Sequence, residues 1–250
     1  MLVNERQNEI YKYLQAHGAT TVKTLAAKFF VSEATLRRDL TEMQRLGLID
    51  RSHGGAGLPE GAGEIPMFVR VEKNAKEKEI AVANALKAIP NFFAAFIDSS
   101  STALALVRKM DFRGKTVVTH SLQTATVISK QKGAEVILLG GNLLYNMTSV
   151  SGSFTIAQIR QFSFDLTLTS CAAISADGTY ERSMEQREIK RAAIARGKIN
   201  ILIADHTKFS CFAPFRAEEL TAFEKIVTDA PPPEELFASS AAPPRSKFVY

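Results

Sequence analysis

Two groups of residues in this sequence have the types and the spacing to do chemistry. The first lies in Val31-Ser32-Glu33-Ala34-Thr35-Leu36-Arg37-Arg38-Asp39-Leu40. Ser32 can cap a helix, because its hydroxyl accepts a backbone N–H that has no partner inside the helix. Val31 and Leu36 are spaced as a hydrophobic staple across that cap. Apolar residues then recur at Leu36, Leu40, Met43 and Leu46, one buried face at the 3.6-residue period. Thr35, Arg37, Arg38 and Gln44 are left turned mainly the other way. A short anchored helix that offers hydroxyls and guanidinium groups from its first turns suits the major groove of double-stranded DNA.

The second group is a set of polar segments, each directly after an apolar run. Ile97 is followed by Asp98-Ser99-Ser100-Ser101-Thr102, and Val118 by Thr119-His120-Ser121. Hydroxyls and backbone N–H groups entering a helix make an anion site, for which phosphate is the obvious guest. Leu139 gives way to Gly140-Gly141-Asn142, where a missing Cβ can let a ligand approach the backbone. Ala204 leads into Asp205-His206-Thr207-Lys208-Phe209, which places a carboxylate and an ammonium in one loop. Asp177-Gly178 reads equally as a tight turn or as a ligand contact.

These residues need elements to hold them. Asn4–His17 carries Ile10, Tyr13, Leu14 and His17 at helical spacing, and Gly18 is a natural stop. Thr21 can cap a second helix with Val22, Leu25, Ala26 and Phe29 inward. Phe30-Val31 turns the chain into the Ser32 helix, which ends by Gly47, so three helices form a helix-turn-helix. Leu48 to Ala56 reads as a strand running into a glycine-rich turn, a wing that would bring Arg51 and His53 to DNA. Asp39 is expected to pair with a neighbouring arginine, since a carboxylate facing phosphate is repelled.

Gly57 to Met67, rich in Gly, Pro and Ala, reads as a linker. Beyond it, apolar runs at 92–97, 116–119, 135–139, 165–169, 199–204 and 226–228 alternate with helical segments near 102–109, 122–130, 154–161 and 185–196. That alternation predicts an α/β fold with a largely parallel sheet covered on both faces, whose ligands bind at the carboxyl ends of the strands. The expected division is a winged helix-turn-helix at 1–57, a linker at 58–73, an α/β domain at 74–230 and an irregular, proline-rich tail at 231–250.

The totals set bounds. A chain of 250 residues with 46% hydrophobic and 23% charged residues is an ordinary globular composition. The formal net charge of +5 is compatible with a polyanionic partner. Within the first 58 residues, however, Lys and Arg barely outnumber Asp and Glu, so DNA binding has to come from where the charges lie. Two cysteines, Cys171 and Cys211, make no disulfide framework and read as buried small hydrophobes. No apolar run is long enough to span a membrane, and the expected compartment is the cytoplasm. Nothing points to a metal, a cofactor or a membrane partner.

Val31–Leu40 together with Gly47-Leu48-Ile49 and Arg51-Ser52-His53-Gly54-Gly55-Ala56 resembles the N-terminal motif of the DeoR family of bacterial regulators. The resemblance runs on through Phe96–Thr102, Val118–Leu122, Leu139-Gly140-Gly141, Ser151-Gly152, Asp177-Gly178-Thr179, the Glu185…Glu188…Lys190 helix and Asp205–Phe209. It implies that Ser32, Thr35, Arg37, Arg38, Arg51 and His53 meet operator DNA. It implies a second domain similar in fold to ribose-5-phosphate isomerases and CoA transferases, with a pocket for a phosphorylated sugar or related metabolite. There Asp98, Ser99, Ser100, Ser101, Thr102, Thr119, His120, Ser121, Gly140, Gly141, Gly152, Asp177 and Glu185 would line the site. Lys190 and Lys208 would supply positive charge and Asp205 would bind a hydroxyl. The implied function is effector-controlled transcription regulation, most often repression, by a homo-oligomer (a dimer or tetramer).

Three segments depart from the family pattern: serines stand at 99–101 where a glycine is common, Leu144 where an arginine is frequent, and Thr169–Ile174 lacks the usual glycines. Two other readings accompany the main one. Asp98, Glu185, Lys190 and Asp205 are the types that move a proton beside a carbonyl, which would make the second domain a sugar-phosphate isomerase-like enzyme. Alternatively, the pocket is vestigial and the chain a DNA-binding scaffold.

Overall fold

The computed structural model describes residues 3–46, 48–52, 54–58, 65–238 and 243–250. They divide into two compact units, Met1–Arg70 with Tyr145–Met147, and Val71–Leu144 with Thr148–Tyr250.

The first unit begins with α1 (Val3–His17), β1 (Thr20–Thr21), α2 (Val22–Lys28) and α3 (Glu33–Arg45). Thr21 and Ser32 cap α2 and α3, each hydroxyl accepting from the backbone N–H three residues on. Ile10, Leu14, Leu25, Leu36, Leu40, Met43 and Ile49 close into one core with Ala56. Each fully buried aliphatic chain of this size contributes about 1.5–3 kcal/mol. The wing is the antiparallel pair β2 (Asp50–Ser52) and β3 (Gly55–Gly57), and β1 adds on the other edge of β3. A Cβ at Gly55 would meet the Thr20 carbonyl oxygen at 2.7 Å, so the third strand requires glycine there. His53 and Gly47 lie outside the described residues.

The span read as a linker, 58–73, is helical over its last third. α4 (Met67–Glu72) forms there and buries Met67 and Val69, Val69 within the first unit's core. The neighbouring Gly- and Pro-rich stretch hid a six-residue helix, under two turns and too short to show a period.

The second unit runs α5 (Ala75–Ala88), β4 (Ala94–Ile97), α6 (Ser101–Val107), β5 (Thr116–Thr119), α7 (Leu122–Ile128), β6 (Glu135–Leu138), β7 (Asn142–Leu144), β8 (Ser149–Ser151), α8 (Ser153–Ile159), β9 (Phe164–Thr169), β10 (Ala173–Ser175), β11 (Gly178–Glu181), α9 (Met184–Ile194), β12 (Gly197–Ile203), β13 (Phe215–Arg216), β14 (Lys225–Val227) and β15 (Phe248–Val249). Seven strands form one parallel sheet in the order β15-β14-β12-β9-β4-β5-β6. The expected α/β architecture is therefore present, and all six expected runs are strands of this sheet. The seventh, β15, comes from the tail read as irregular: Phe248-Val249 adds parallel to β14. Strand periodicity cannot announce two residues.

Both faces of the sheet are covered. On β4, Ala95 and Ile97 join a core with α5 and α6 through Ala81, Val82, Leu106 and Val107, while Phe96 faces Ile159, Ile189 and Ala193 of α8 and α9. The chain leaves β4 outward through β5 and β6, then returns to β9 on the other side of β4. That reversal lies at the carboxyl ends of β4 and β9, the place where sheets of this kind bind ligands, and the polar residues gathered at this crevice position are almost fully buried.

Candidate functional site

In the first unit, α3 presents Ser32, Arg37, Arg38 and Thr41 to solvent. The Ser32 hydroxyl accepts from the Thr35 backbone N–H at 3.1 Å and shares a hydrogen bond of 2.9 Å with the Thr35 hydroxyl, so both are fixed by the cap. Arg37 pairs with Glu33 at 3.2 Å in solvent, a contact weak enough to exchange for phosphate. Arg51 donates from the wing to the Thr41 hydroxyl at 3.0 Å, and Thr41 donates to the Arg37 carbonyl at 2.7 Å. Thr41 thus joins wing and helix. Sequence reasoning missed it, although it stands four residues after Arg37, on the same helical face.

Asp39 does not pair with its neighbours. It accepts a two-pronged bond from Arg6 of α1, at 2.5 and 3.0 Å, and is itself buried. That pair raises the Arg6 guanidinium further, chiefly through the hydrogen bond. It locks the recognition helix to α1, so Asp39 orients α3 and leaves its outer face to the arginines.

In the second unit, the crevice between β4 and β9 is built around Asp98. One carboxylate oxygen accepts from the Ser100 N–H at 2.9 Å; the other accepts from the Ser170 N–H, also at 2.9 Å. Asp98 therefore bridges the two loops at the reversal of strand order. Lys190 of α9 reaches the same place. Its Nζ donates to the Ser170 carbonyl at 2.6 Å and to Glu181 at 2.5 Å, and lies 3.4 Å from Asp98. Burial pulls the ammonium's affinity for its proton down, but Glu181 and Asp98 outweigh it and the net direction is upward. An ammonium has three donors. Here a carbonyl and two carboxylates surround them, so the positive charge is neutralised internally.

Several residues expected to line a pocket are engaged as structural bonds. Ser100 and Ser121 cap α6 and α7 through the N–H groups of Ala103 and Thr124. Thr119 donates to the Ile97 carbonyl at 2.7 Å. His120 accepts at Nε2 from the Ser99 N–H at 3.2 Å and donates from Nδ1 to the Val150 carbonyl at 3.0 Å. Burial lowers this imidazole to about 4, so it is neutral near pH 7. Ser101 and Thr102 are buried in the first turn of α6.

Other atoms are unspent. Among the described residues of the second unit, Thr124 Oγ1, Ser149 Oγ, Thr169 Oγ1, Gln186 Nε2 and Asp205 Oδ2 are buried without a hydrogen-bond partner, and the last three lie on the loop after β9, on α9 and on the loop after β12. Native proteins leave few such atoms, and each calls for an explanation. Asp205 Oδ1 accepts from Asn74 at 3.2 Å and from the Thr207 hydroxyl, which aims the carboxylate and leaves its second oxygen bare. Gln186 receives the Ser99 hydroxyl at 3.3 Å on its oxygen, leaving the NH₂ bare. The Cys171 thiol lies buried within the field of Glu181, Lys190, Lys208 and Asp205. Cys171 is a buried thiol, and burial pushes it up.

Five expected positions stand apart. Glu185 is exposed, because α9 starts at Met184 and its phase turns Gln186, Ile189, Lys190 and Ala193 inward. Asp177 is exposed at the tip of the β10–β11 hairpin, where its carbonyl receives Arg216. Gly141, at φ +154°, would bring a Cβ to 2.1 Å from Thr155 Oγ1 and 2.6 Å from the Ser151 carbonyl oxygen. Gly152 faces Asn142, and Gly140 faces Phe154. These three glycines serve close packing of the protein on itself. Lys208 is half-buried in the turn after Asp205. Glu181 and Gln186 were not foreseen; Gln186 was one helical position from the residue chosen.

Among the described residues, no group of His, Cys, Asp and Glu is arranged to hold a metal ion, and no helix is long and apolar enough to cross a membrane.

The comparisons with known proteins agree with this division of labour. Residues 6–61 match the DeoR-like helix-turn-helix domain, and residues 73–230 match the DeoR C-terminal sensor domain. A glycerol-3-phosphate regulon repressor of Escherichia coli (strain K12) is 32% identical over 238 residues, covering 93% of each chain. The transcriptional repressor GlcR of Bacillus subtilis (strain 168) is 29% identical over 233 residues, covering 93% of this chain and 90% of that one. Among solved structures, ribose 5-phosphate isomerase A of Neisseria gonorrhoeae is similar at 13% identity and a TM-score of 0.39, over 53% of this chain and 52% of that one. With an arginine-bearing recognition helix capped by Ser32 ahead of a polar site at the sheet's reversal, and with both family models matched, this chain belongs to the DeoR family of DNA-binding transcriptional regulators.

Proposed function

We propose that this protein is a cytoplasmic repressor of genes for sugar or related carbohydrate use, released from its operator by a phosphorylated sugar or similar metabolite. Ser32, Thr35, Arg37 and Arg38 of α3 meet the operator, with Arg51 and His53 reaching it from the wing. The effector occupies the crevice at the carboxyl ends of β4 and β9. The observation that carries this reading is the trio of buried, unspent polar atoms on Thr169, Gln186 and Asp205. A hydroxyl-rich ligand would satisfy all three, with Asp205 and Thr169 accepting and Gln186 donating. The names of the relatives agree with it: one represses a glycerol-3-phosphate regulon.

A homo-oligomer, dimer or tetramer, places recognition helices at spaced half-sites. The effector acts by binding more tightly to the arrangement that no longer fits the operator, since only differential affinity shifts such a balance. The isomerase reading needs Asp98, Glu185, Lys190 and Asp205 in one place, and the exposure of Glu185 counts against it.

The test is a mobility shift on DNA upstream of the protein's own gene, run across a salt series and repeated with a panel of phosphorylated sugars. Specific retardation that weakens steeply with salt and is relieved by one sugar phosphate is expected. No retardation at any salt overturns the DNA reading. Retardation that no panel member relieves, with a flat thermal-shift response to the same panel, overturns the effector reading.

A further inference from the structure

The chain that joins the two units is tied to the crevice by a side chain. α4 starts in the first unit, where Val69 is buried in the core, and ends in the second. Two residues after it, Asn74 opens α5 in a left-handed conformation, φ 53° and ψ 41°, which residues other than glycine rarely adopt. An asparagine at a helix start ordinarily caps its own helix. Asn74 makes no such bond. Its Nδ2 donates instead to the loop after β12, to Asp205 Oδ1 at 3.2 Å and to the Thr207 hydroxyl at 2.9 Å. Lys78, buried in the first turn of α5, donates from Nζ to the Lys73 carbonyl at 2.6 Å. Both residues between α4 and α5 are therefore held, and Asn74 is held by the crevice.

A carboxylate offers about four lone-pair positions, two on each oxygen. On Asp205 Oδ1 both are taken, by Asn74 and by the Thr207 hydroxyl, whereas Oδ2 is buried and bare. One ligand hydroxyl can donate to Oδ2 and disturb nothing. Two neighbouring hydroxyls of one sugar engage both oxygens of a carboxylate, and then a donor on Oδ1 has to leave. Thr207 moves with Asp205, because it belongs to the same loop. Asn74 comes from another element, at the longer distance, and is the one displaced.

Taking the crevice as the effector site, we propose that Asn74 is the residue through which its occupancy reaches the chain leading to the DNA-binding unit: adjacent hydroxyls of a sugar displace the Asn74 amide from Asp205 and free the junction of α4 and α5. At six residues α4 is too short to hold itself, so it loosens once that junction is free.

The test is hydrogen–deuterium exchange of the full chain, read by mass spectrometry over Met67–Glu72, in Asn74→Gly, Asp205→Ala and the two together. Glycine keeps the left-handed backbone and removes the amide. Each single variant should exchange about threefold faster or more over this helix, and the double variant no faster than the faster single one, because both cut the same tie. Asn84→Ala removes another amide bond of α5, to the Thr228 carbonyl at 3.0 Å, and should leave Met67–Glu72 unchanged. An unchanged rate in Asn74→Gly, equal acceleration in Asn84→Ala, or multiplied effects in the double variant overturns the proposal. If Asp205→Ala opens the whole sheet, seen as faster exchange in β9, Asn74→Asp decides in its place. It sets a second carboxylate against Asp205 and should accelerate Met67–Glu72 at least as much as Asn74→Gly; a parental rate overturns the proposal. Ribose 5-phosphate, glucose 6-phosphate and fructose 1-phosphate are then added in turn. Any that raises the parent's melting temperature should accelerate Met67–Glu72 in the parent and not in Asn74→Gly, and binding without that change overturns the proposal. Binding by none of them bears on the effector reading alone, and the variants, which need neither sugar nor DNA, decide the coupling.

Discussion

Replacing Lys190 by methionine tests the most consequential feature of the crevice, its internally neutralised ammonium. The substitution keeps most of the aliphatic stem and removes the charge. Asp98 is fully buried and Glu181 nearly so, and Lys190 is their shared counter-ion at 3.4 and 2.5 Å. Removing one partner of a buried pair costs about 3–5 kcal/mol, because the remaining charge has no solvent to turn to. Against a total stability of roughly 5–15 kcal/mol, that loss is plain in a urea titration followed by circular dichroism. Glu181→Gln costs less, since its carboxamide oxygen can still accept from Nζ and Asp98 still balances the charge. Lys190→Met/Glu181→Gln should therefore be more stable than the sum of the two single losses by about 1–3 kcal/mol. The Lys190→Met penalty should also shrink toward acid pH, because a protonated carboxyl needs no counter-ion. An unchanged midpoint in Lys190→Met, or strictly additive losses in the double variant, would refute the claim that the carboxylates neutralise this ammonium.

Further outcomes follow from other positions. Arg37→Ala and Arg38→Ala should each weaken operator binding in a mobility-shift assay and together abolish specificity, with stability within about 0.5 kcal/mol of the parent because both are exposed. Asp39→Ala should lower the first unit's stability by about 2 kcal/mol, read by thermal melting, because it strands the part-buried Arg6 guanidinium. Gly141→Ala should cost about 2–3 kcal/mol in urea unfolding, since the new methyl has to displace Thr155 Oγ1 and the Ser151 carbonyl. His120 stays neutral in the fold down to about 4 but takes a proton near 6.5 when unfolded. Its stabilising effect is therefore intact above pH 6.5 and is lost as pH falls toward 4, by about 3 kcal/mol. His120→Asn should flatten that acid slope, and parallel slopes in the two proteins would contradict the assignment.

The features legible in the sequence were those settled by near neighbours. Ser32 and Thr21 cap their helices because the N–H each accepts lies three residues along. The six parallel strands were visible because buried strands are apolar runs of several residues. What stayed hidden depended on distant partners or on helical phase. Asp39 finds Arg6, 33 residues away, where the sequence offered two adjacent arginines. Lys190 finds Glu181, on the same hairpin strand as the Asp177-Gly178-Thr179 motif but two residues beyond it. Glu185 and Gln186 differ by one position, about 100° around α9, and only the true start of the helix decides which faces inward. Gly140 and Gly141 read as room for a ligand, but Phe154 and Thr155 of α8 fill that room.

The neutralised Lys190 changes what recognition in the crevice can rest on. The buried carboxylates Asp98, Glu181 and Asp205 outnumber Lys190, the buried ammonium that pairs with Asp98 and Glu181, so the floor of the crevice is no place for a phosphate. It offers an acceptor at Asp205, a donor at Gln186 and a hydroxyl at Thr169, the inventory for sugar hydroxyls. On the reading proposed above, the phosphoryl group of an effector has to lie toward the half-buried Lys208. Discrimination among sugars would then come from the floor, where a missing hydroxyl leaves a buried atom unsatisfied, and charge attraction from the rim. Lys208→Met should accordingly weaken all phosphorylated effectors alike, whereas Gln186→Leu should weaken them unequally, according to the hydroxyls each presents. Two variants that shifted the same panel in the same proportions would show that floor and rim do not divide the work in this way.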